Sequence, residues 1–274
     1  MAATHNNHST KSILLSETTD RSDLKIVSFN IHGFNQGQVA ITEMIDSLSP
    51  DVFLIQEHWL TDANINKFDI FTDYFSFGCS AMNKQTESGI LVGRPYGGVI
   101  ALIKNAFRHQ TTTVHCDDRF LIVTIANYLL VNVYLPCKGT ANRTELCDSL
   151  LCDIWSWRER FMNYECIIAG DMNTDLVKGN DEIATHLNFF INDKKLTRCN
   201  DLFSQRTVAT YVNPALNQES CIDYIFASSQ SDIRNFEVLD LSLNFSDHLP
   251  LLVSIRTQVA PSHVKSNTVT DNSN

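Results

Sequence analysis

The feature that most limits how this chain can fold is a series of short apolar runs, each rich in β-branched residues and closed by turn signals. Such runs are too short for buried helices and read as strands, several of them buried on both faces. They fall at 24–30, 52–56, 89–92, 99–103, 120–125, 128–135, 166–169, 209–212, 222–227, 236–243 and 251–255. A Ser-Pro-Asp turn precedes 52–56, the segment Gly93-Arg-Pro-Tyr-Gly-Gly98 reads as a turn between strands, and 120–125 with 128–135 reads as a hairpin about Ala126-Asn127. Three segments carry helical spacing instead. Residues 39–48 run up to a stop at Pro50; 144–161 places Leu146, Leu150, Ile154 and Trp157 on one face; 181–192 does the same with Ile183, Leu187 and Phe190. Strands in this excess, interleaved with a few helices, predict an α/β protein of two packed mixed sheets with helices outside.

The ends of the chain lack any such pattern. Residues 1–22 are polar and 258–274 are Ser, Thr, Asn and Val without period, so both are expected to be disordered arms around a globular region at 23–257 with no internal linker or repeat. The first residues hold no apolar signal segment, and no run approaches the roughly 20 residues of a membrane span. An intracellular protein without membrane association is expected. Acidic side chains number 31 against 21 basic ones, a formal charge of −10. That excludes a nucleic-acid binder that works through bulk positive charge, but leaves room for a nucleic-acid enzyme with a local basic face or one that uses a cation. The eight Cys form no Cys-x-x-Cys pair and no zinc spacing, and Cys166 sits inside an apolar run; reduced, mostly buried thiols are expected. The Asn-x-Ser/Thr sites at Asn7, Asn142 and Asn244 matter only in a secreted protein.

The chemistry lies in where the polar residues stand. Asn30 ends the first run; Glu57 follows the second; Asp171 and Asn173 follow 167–170; Asp223 sits between Ile222 and Tyr224; Asp247 and His248 precede the last run. If the strand ends share one rim, a dense polar cluster forms at the edge of an apolar sandwich, which is costly unless the acids share a cation or hydrogen bonds. Oxygen ligands without thiolates select a hard ion, Mg²⁺ before Zn²⁺. A cation beside a His and further carboxylates suits phosphate-ester hydrolysis. Each piece has a bland reading: Glu57 as a solvated strand end, Asp171-Met-Asn173 as an Asx turn, Ser246-Asp-His248 as a strand cap. Asp223, flanked by apolar residues, requires a partner such as an imidazole. All the pieces in one chain are hard to explain blandly.

The set Ser28-Phe-Asn-Ile-His32, Ile55-Gln-Glu57, Asn132-Val-Tyr134, Ala169-Gly-Asp-Met-Asn173, Ile222-Asp-Tyr224 and Ser246-Asp-His-Leu-Pro250 resembles the endonuclease/exonuclease/phosphatase superfamily, in the family's order. The resemblance implies a four-layer α/β/β/α sandwich of the deoxyribonuclease I-like kind. It implies that Glu57, assisted by Asn30, holds Mg²⁺ (Mn²⁺ as a substitute), with Asp247 beside the metal. Asp171 would orient or deprotonate the attacking water, Asn173 and Tyr134 would contact the phosphate, and His248, oriented by Asp223, would hydrogen-bond the scissile phosphate or move a proton. The segments Leu91-Val-Gly-Arg-Pro-Tyr-Gly-Gly98 and Ser246-Asp-His-Leu-Pro250, together with Thr210-Tyr211, resemble the endonuclease domain of non-LTR retrotransposons, with Thr210 a phosphate neighbour. The aromatic and Arg extensions of the lipid and inositol phosphatases are absent. The resemblance therefore implies an endonuclease that nicks duplex DNA to leave 3′-hydroxyl and 5′-phosphate ends. In retrotransposons a reverse transcriptase follows this domain, whereas this chain stops soon after Ile255, so a domain copy, a truncated element or a stand-alone nuclease is expected, as a monomer. A nuclear place suits that substrate, although no basic localisation run is present. Arg119 is a substrate-side candidate, with a surface salt bridge as the equal alternative. Lys104, Arg108 and His109, and Lys194, Lys195 and Arg198, are two basic groups that meet a phosphate backbone or merely solvate a face; Phe34 and Trp59 stack on bases or pack inside. The competing functions are a phosphoesterase acting on abasic DNA, RNA or a phospholipid or inositol phosphate, and an inactive nucleic-acid-binding module.

Overall fold

The structure is a computed structural model and describes residues 23–89, 93, 95–178, 181–203 and 209–257. The two expected terminal arms, and positions 90–92 of the run expected at 89–92, lie outside those residues. In chain order the elements are β1 (Asp23–Asn30), α1 (Phe34–Leu48), β2 (Val52–Gln56), β3 (Tyr74–Cys79), α2 (Asn83–Glu87), β4 (Val99–Lys104), β5 (Thr111–Cys116), β6 (Phe120–Ile125), β7 (Tyr128–Tyr134), α3 (Arg143–Arg160), β8 (Glu165–Asp171), α4 (Glu182–Asp193), β9 (Thr197–Arg198), β10 (Tyr211–Asn213), β11 (Gln218–Ser220), β12 (Asp223–Ala227), β13 (Ile233–Val238) and β14 (Leu251–Arg256). A nine-residue 3₁₀ segment, Asp62–Ile70, precedes β3.

Two six-stranded sheets form, in the orders β13-β14-β1-β2-β4-β3 and β5-β6-β7-β8-β12-β9, and β10 pairs with β11 apart from both. Each sheet is antiparallel except for one central parallel pair, β1 with β2 and β7 with β8. A helix crosses over between the members of each pair, α1 in the first case and α3 in the second, as parallel neighbours require. The expected architecture of two mixed sheets with helices outside is therefore observed.

Alternation along the strands builds the layers. In β1, Leu24 and Ile26 face the other sheet, where they join Val52, Leu54, Ala101, Leu121, Leu130, Ile167 and Ile225. Val27 and Phe29 face outward and pack with Phe53, Ile55, Ala40, Ile41, Met44 and Phe68 under α1 and the 3₁₀ segment. The outer face of the second sheet, through Ile122, Val131, Val133 and Ile168, is covered by Leu150, Ile154, Ile183 and Leu187 of α3 and α4. Each fully buried aliphatic or aromatic side chain contributes about 1.5–3 kcal/mol, so the three apolar layers fix which way every strand faces.

Three expectations change. The helix expected at 39–48 starts at Phe34. Gly37 lies inside it because a Cβ there would stand 2.3 Å from the Ile31 Cβ, so glycine here serves close packing rather than helix breaking. The strand expected at 236–243 ends at Val238; Glu43 of α1 accepts from Ser242 N, Ser242 Oγ and Leu243 N and holds the remainder as a loop. Not all thiols are reduced: Cys79 and Cys116 form a disulfide. Both close edge strands, β3 of one sheet and β5 of the other, and those ends meet with Cα atoms 6.1 Å apart, a juxtaposition that a separation of 37 residues does not reveal. Among the other cysteines, Cys147, Cys166, Cys199 and Cys221 are buried, as expected, while Cys137 and Cys152 are exposed. No helix among the described residues is long and apolar enough to cross a membrane.

The cross-link ties the sandwich at one edge, so under oxidising conditions Cys79→Ser is expected to lower the Tm by about 5–15 °C, the equivalent of roughly 2–4 kcal/mol. In excess dithiothreitol, melts followed by circular dichroism should coincide for the two proteins.

Candidate active site

The two parallel pairs bring four strand ends to one lip of the sandwich, because each pair points its C-terminal ends the same way. Asn30 and Gln56 are register partners at the end of one pair, Tyr134 and Asp171 at the end of the other, and Asp223 lies beside Asp171 on β12. Beneath the lip a polar bridge joins the sheets. Gln56 Nε2 donates to Asn132 Oδ1 at 2.6 Å, and Asn132 Nδ2 donates to the backbone oxygens of Ile55 and Ile100.

On this floor stand the acids. Asn30 Nδ2 donates both to Glu57 Oε1 at 3.1 Å and to Asp171 Oδ2 at 3.0 Å, so one buried amide spans two carboxylates from different sheets. Glu57 Oε2 accepts from Trp59 Nε1 at 2.8 Å. Asp171 also accepts from the backbone N and Nδ2 of Asn173, and Asn173 Nδ2 donates to Leu135 O as well. His248 Nδ1 lies 2.9 Å from Asp223 Oδ2, and its Nε2 lies 3.9 Å from both Asp171 and Asp247. Asp247 stands 3.0 Å from His32 Nδ1. Arg119 lies over the Tyr134 ring, 5.2 Å from its centroid. Glu57, Asp247, Tyr134, Asn173, Tyr211 and His248 line one groove of 450 Å³, together with Lys138, and Asp171 and Asp223 lie buried behind that lining.

Electrostatics follow from this crowding. Asp171 is 1% exposed and Asp223 3%. Burial first, then the charge of Asp223, raises the Asp171 pKa, against the pull of His248, Asn173 and Asn30. Burial opposes the charged imidazole of His248, but Asp223, Asp171 and Asp247 together outweigh it and raise its pKa to about 10. His248 is thus an imidazolium at neutral pH, with Nε2–H aimed between two carboxylates. Burial, followed by Glu57, pushes the Tyr134 phenol above its ordinary range, so it stays a hydrogen-bond donor.

The backbone is strained where these groups gather. His32, Glu57, Trp59 and Asn173 all have φ between 48° and 56°, a left-handed conformation that costs a non-glycine residue about 1 kcal/mol. Two glycines help pay for it: Gly98 O accepts from Glu57 N and Gly97 O from Trp59 N, with φ of 87° and 61°. A Cβ on Gly98 would meet the His58 ring at 2.4 Å, and one on Gly170 would lie 1.9 Å from Val133 O. The Gly-Gly of the expected turn therefore holds the Glu57 loop, and the Gly before Asp171 lets β8 approach β7. Leu91, Val92 and Arg94 of that turn segment lie outside the described residues.

The expected site residues Asn30, Glu57, Tyr134, Asp171, Asn173, Asp223, Asp247 and His248 all come together. Thr210 does not line the groove. It is fully buried, donates to Asp223 Oδ2 at 2.7 Å and accepts from the backbone N of Ile222 and Asp223, which makes it a support for Asp223 rather than a phosphate neighbour. Phe34 packs inside, edge-on to Phe68 at 4.8 Å, while Trp59 stays half-buried beside Glu57. The basic groups are taken up locally: Lys104 by Asp51, Arg108 by Asn105 and the Phe75 ring, Lys194 by Asp193 and the Trp155 ring, Arg198 by Asp201. His32, Gln56, Asn132 and Tyr211 stand in the motifs quoted above, but sequence reading assigned them no role: it did not reveal the Gln56–Asn132 bridge, the Trp59–Glu57 bond, the His32–Asp247 pair or the Tyr211 ring that meets His248 edge-on at 5.1 Å.

The donor set fits a hard cation. Asp171, Asp223 and His248 offer ligand atoms within 4.8 Å of one another, but Asp223 and His248 already satisfy each other. Glu57 is the better holder, since its two bonds to Asn30 and Trp59 leave carboxylate lone pairs facing the groove.

Two mixed sheets between helical layers, with acids, amides and an imidazole at one lip, define the deoxyribonuclease I-like sandwich. The endonuclease/exonuclease/phosphatase family model matches residues 27–248, and the chain belongs to that family, whose members are metal-dependent hydrolytic nucleases or phosphatases. No curated protein sequence matches it. Similar solved structures include an AP endonuclease from Leishmania major, at TM-score 0.71 and 15% identity over 86% of this chain and 88% of that one. An AP endonuclease from Archaeoglobus fulgidus gives 0.66 and 15% over 85% and 99%. A 3′ phosphatase from Neisseria bound to a product DNA hairpin gives 0.66 and 14% over 85% and 99%. At these identities the likeness is one of fold.

The Asp223 contact sets the charge on His248. Its imidazole carbon-bound protons are expected to keep protonated-form NMR shifts from pH 6 to 9. In Asp223→Asn the loss of the carboxylate lowers the pKa, and the same resonances should titrate within that range.

Proposed function

We propose that this protein is a Mg²⁺-dependent phosphodiester hydrolase that nicks duplex DNA, leaving 3′-hydroxyl and 5′-phosphate ends, as in retrotransposon target-site cleavage. The observation that carries the reading is the meeting of Glu57 and His248 on one groove with Asp171 buried behind them, joined to Glu57 through Asn30 and 3.9 Å from His248 Nε2. Glu57, steadied by Asn30 and Trp59, would hold the cation, with Asp247 beside it. A divalent ion there, Mg²⁺ or Mn²⁺ as a substitute, supplies positive charge to the phosphoryl oxygens in an acidic protein.

The protein's own groups divide the remaining work. His248 donates from Nε2 to a non-bridging phosphate oxygen while Asp223 holds the ring by Nδ1, and its charge offsets that of the phosphate. Tyr134 donates to the same phosphate from the other sheet, and Asn173 borders it in the groove while its two Nδ2 protons hold Leu135 O and Asp171 Oδ2. Asp171, raised in pKa and joined to Glu57 through Asn30, takes a proton from the attacking water as the P–O3′ bond breaks, and the 3′ oxygen takes up a proton from solvent. Arg119, set on the Tyr134 ring, and Lys138 meet the flanking backbone. The retrotransposon assignment rests on the Gly-Arg-Pro-Tyr-Gly-Gly and Thr210-Tyr211 flanks; a reverse transcriptase in a longer parent, a monomeric nuclease and a nuclear place of action go with it. The AP endonuclease folds among its structural neighbours make abasic DNA the second substrate to test.

With Mg²⁺ and supercoiled plasmid, wild type is expected to produce nicked circles, whereas Asp171→Ala and His248→Ala should each fall by about 10²–10⁴-fold. Wild type nicking no faster than these variants overturns the reading. Preference for an abasic duplex, RNA or a phospholipid over intact DNA moves the substrate to that class, and DNA binding without turnover in any divalent metal makes the chain a binding module.

A further inference from the structure

Asn173 has a demanding position. It lies in the left-handed region at φ 49°, yet its side chain has to meet Asp171 Oδ2 and Leu135 O at once. Within its own sequence, Asp171-Met-Asn-Thr174, the turn is held by the bond from Asn173 N to Asp171 Oδ1 and by the tolerance of Asn for this conformation. It is also held from outside, by an arginine that the sequence motifs do not include.

Arg143 opens α3, and its guanidinium is 12% exposed. It donates from Nη2 to Asn173 O at 2.7 Å and to Thr174 Oγ1 at 2.8 Å, from Nε to Pro136 O at 2.8 Å, and from Nη1 to Asp181 Oδ2 at 3.2 Å. These four acceptors belong to three separate segments: the loop after β7 that carries Leu135, the loop after β8 that carries Asn173, and the start of α4. The rigid planar fork of guanidinium suits such a clamp, where an ammonium on a flexible stem does not. Thr174 is 1% exposed, so the bond to its hydroxyl is made away from water. The ion pair with Asp181 neutralises the buried charge, and Asp181 independently caps α4 by accepting from Ile183 N at 2.6 Å.

The geometry points to Arg143 as a positioning residue, one that fixes the Asn173 turn and through it the carboxylate of Asp171, both of whose oxygens accept from Asn173. This rests on the hydrolase reading above. Arg143 touches neither substrate nor reacting atoms. Its removal frees the Asn173 carbonyl, the left-handed turn relaxes, and the amide leaves Asp171 and Leu135. A displacement of about 1 Å in such a group costs on the order of 10²-fold in rate, while Tyr134, His248 and Glu57, which bind substrate and cation, stay in place.

The test is steady-state plasmid or oligonucleotide cleavage at a temperature where circular dichroism shows all proteins folded. Arg143→Met is expected to lose about 30–100-fold in kcat with KM within about threefold of wild type. Arg143→Lys should recover part of the loss. An unchanged kcat in Arg143→Met, or a loss confined to KM, overturns the assignment. Should Arg143→Met not fold, Thr174→Val takes its place, since it leaves the guanidinium but removes one Nη2 acceptor; a smaller fall in kcat at constant KM is then expected, and no fall overturns the assignment. If wild type itself does not turn over, the hydrolase reading fails, and the Arg143 clamp is judged by NMR instead. The Asn173 side-chain amide protons should exchange slowly in wild type and quickly in Arg143→Met, and equal protection overturns it.

Discussion

Everything at the lip follows from the cost of burying carboxylates next to one another. Asp171 and Asp223 are register partners on adjacent strands, almost without solvent, in a setting where an unpaired ionised carboxylate costs several kcal/mol. The structure meets that cost with donors from every surrounding element. Asn30 comes from the other sheet, Asn173 from the turn beyond β8, Thr210 from the strand-like segment before β10, and His248 from the loop before β14. Asn30 and His248 come from the side of the other sheet and are not available until the sheets have packed, so the charged site and the sandwich form together. The same crowding gives His248 its positive charge and Asp171 its raised pKa.

The architecture makes this arrangement possible in a simple way. Antiparallel strands alternate direction and scatter their C-terminal ends over both edges of a sheet. One parallel pair at the centre of each sheet puts two C-terminal ends side by side, and packing the sheets face to face brings four together. The Gln56–Asn132 bridge sets the spacing between them, and it excludes apolar side chains that would close the groove from below. Strain at His32, Glu57, Trp59 and Asn173 is the local cost of turning the chain sharply at the ends of buried strands, and the glycines at 97, 98 and 170 and the clamp of Arg143 hold it in place.

Much of this is legible without coordinates. The runs at 52–56 and 120–125 coincide with β2 and β6 because both are β-branched, bounded by turns and buried on both faces. The helix spacing of Leu146, Leu150 and Ile154 marks α3. By contrast, β3 and β5 went unread: Tyr-Phe-Ser-Phe-Gly-Cys and Thr-Thr-Thr-Val-His-Cys are edge strands, which carry little apolar signal because one side meets solvent. Their meeting, and hence the Cys79–Cys116 link, followed them out of reach. Thr210 was expected as a phosphate neighbour because Thr210-Tyr211 resembles the retrotransposon endonuclease flank, and only its burial and its bond to Asp223 Oδ2 assign its hydroxyl to Asp223.

By itself, then, the sequence determined the layers and the cast. Hydrophobic period dictates which segments are strands and helices, and a carboxylate or amide set where an apolar run stops has to lie at a sheet end. The tertiary structure decided the partnerships. Which amide meets which acid, which of two hydroxyls faces the groove, and which arginine is buried are matters of distance between residues far apart in the chain, such as Asn30 and Asp171, separated by 141 positions. No local propensity encodes such a distance, because it exists only once two sheets have packed through their apolar faces.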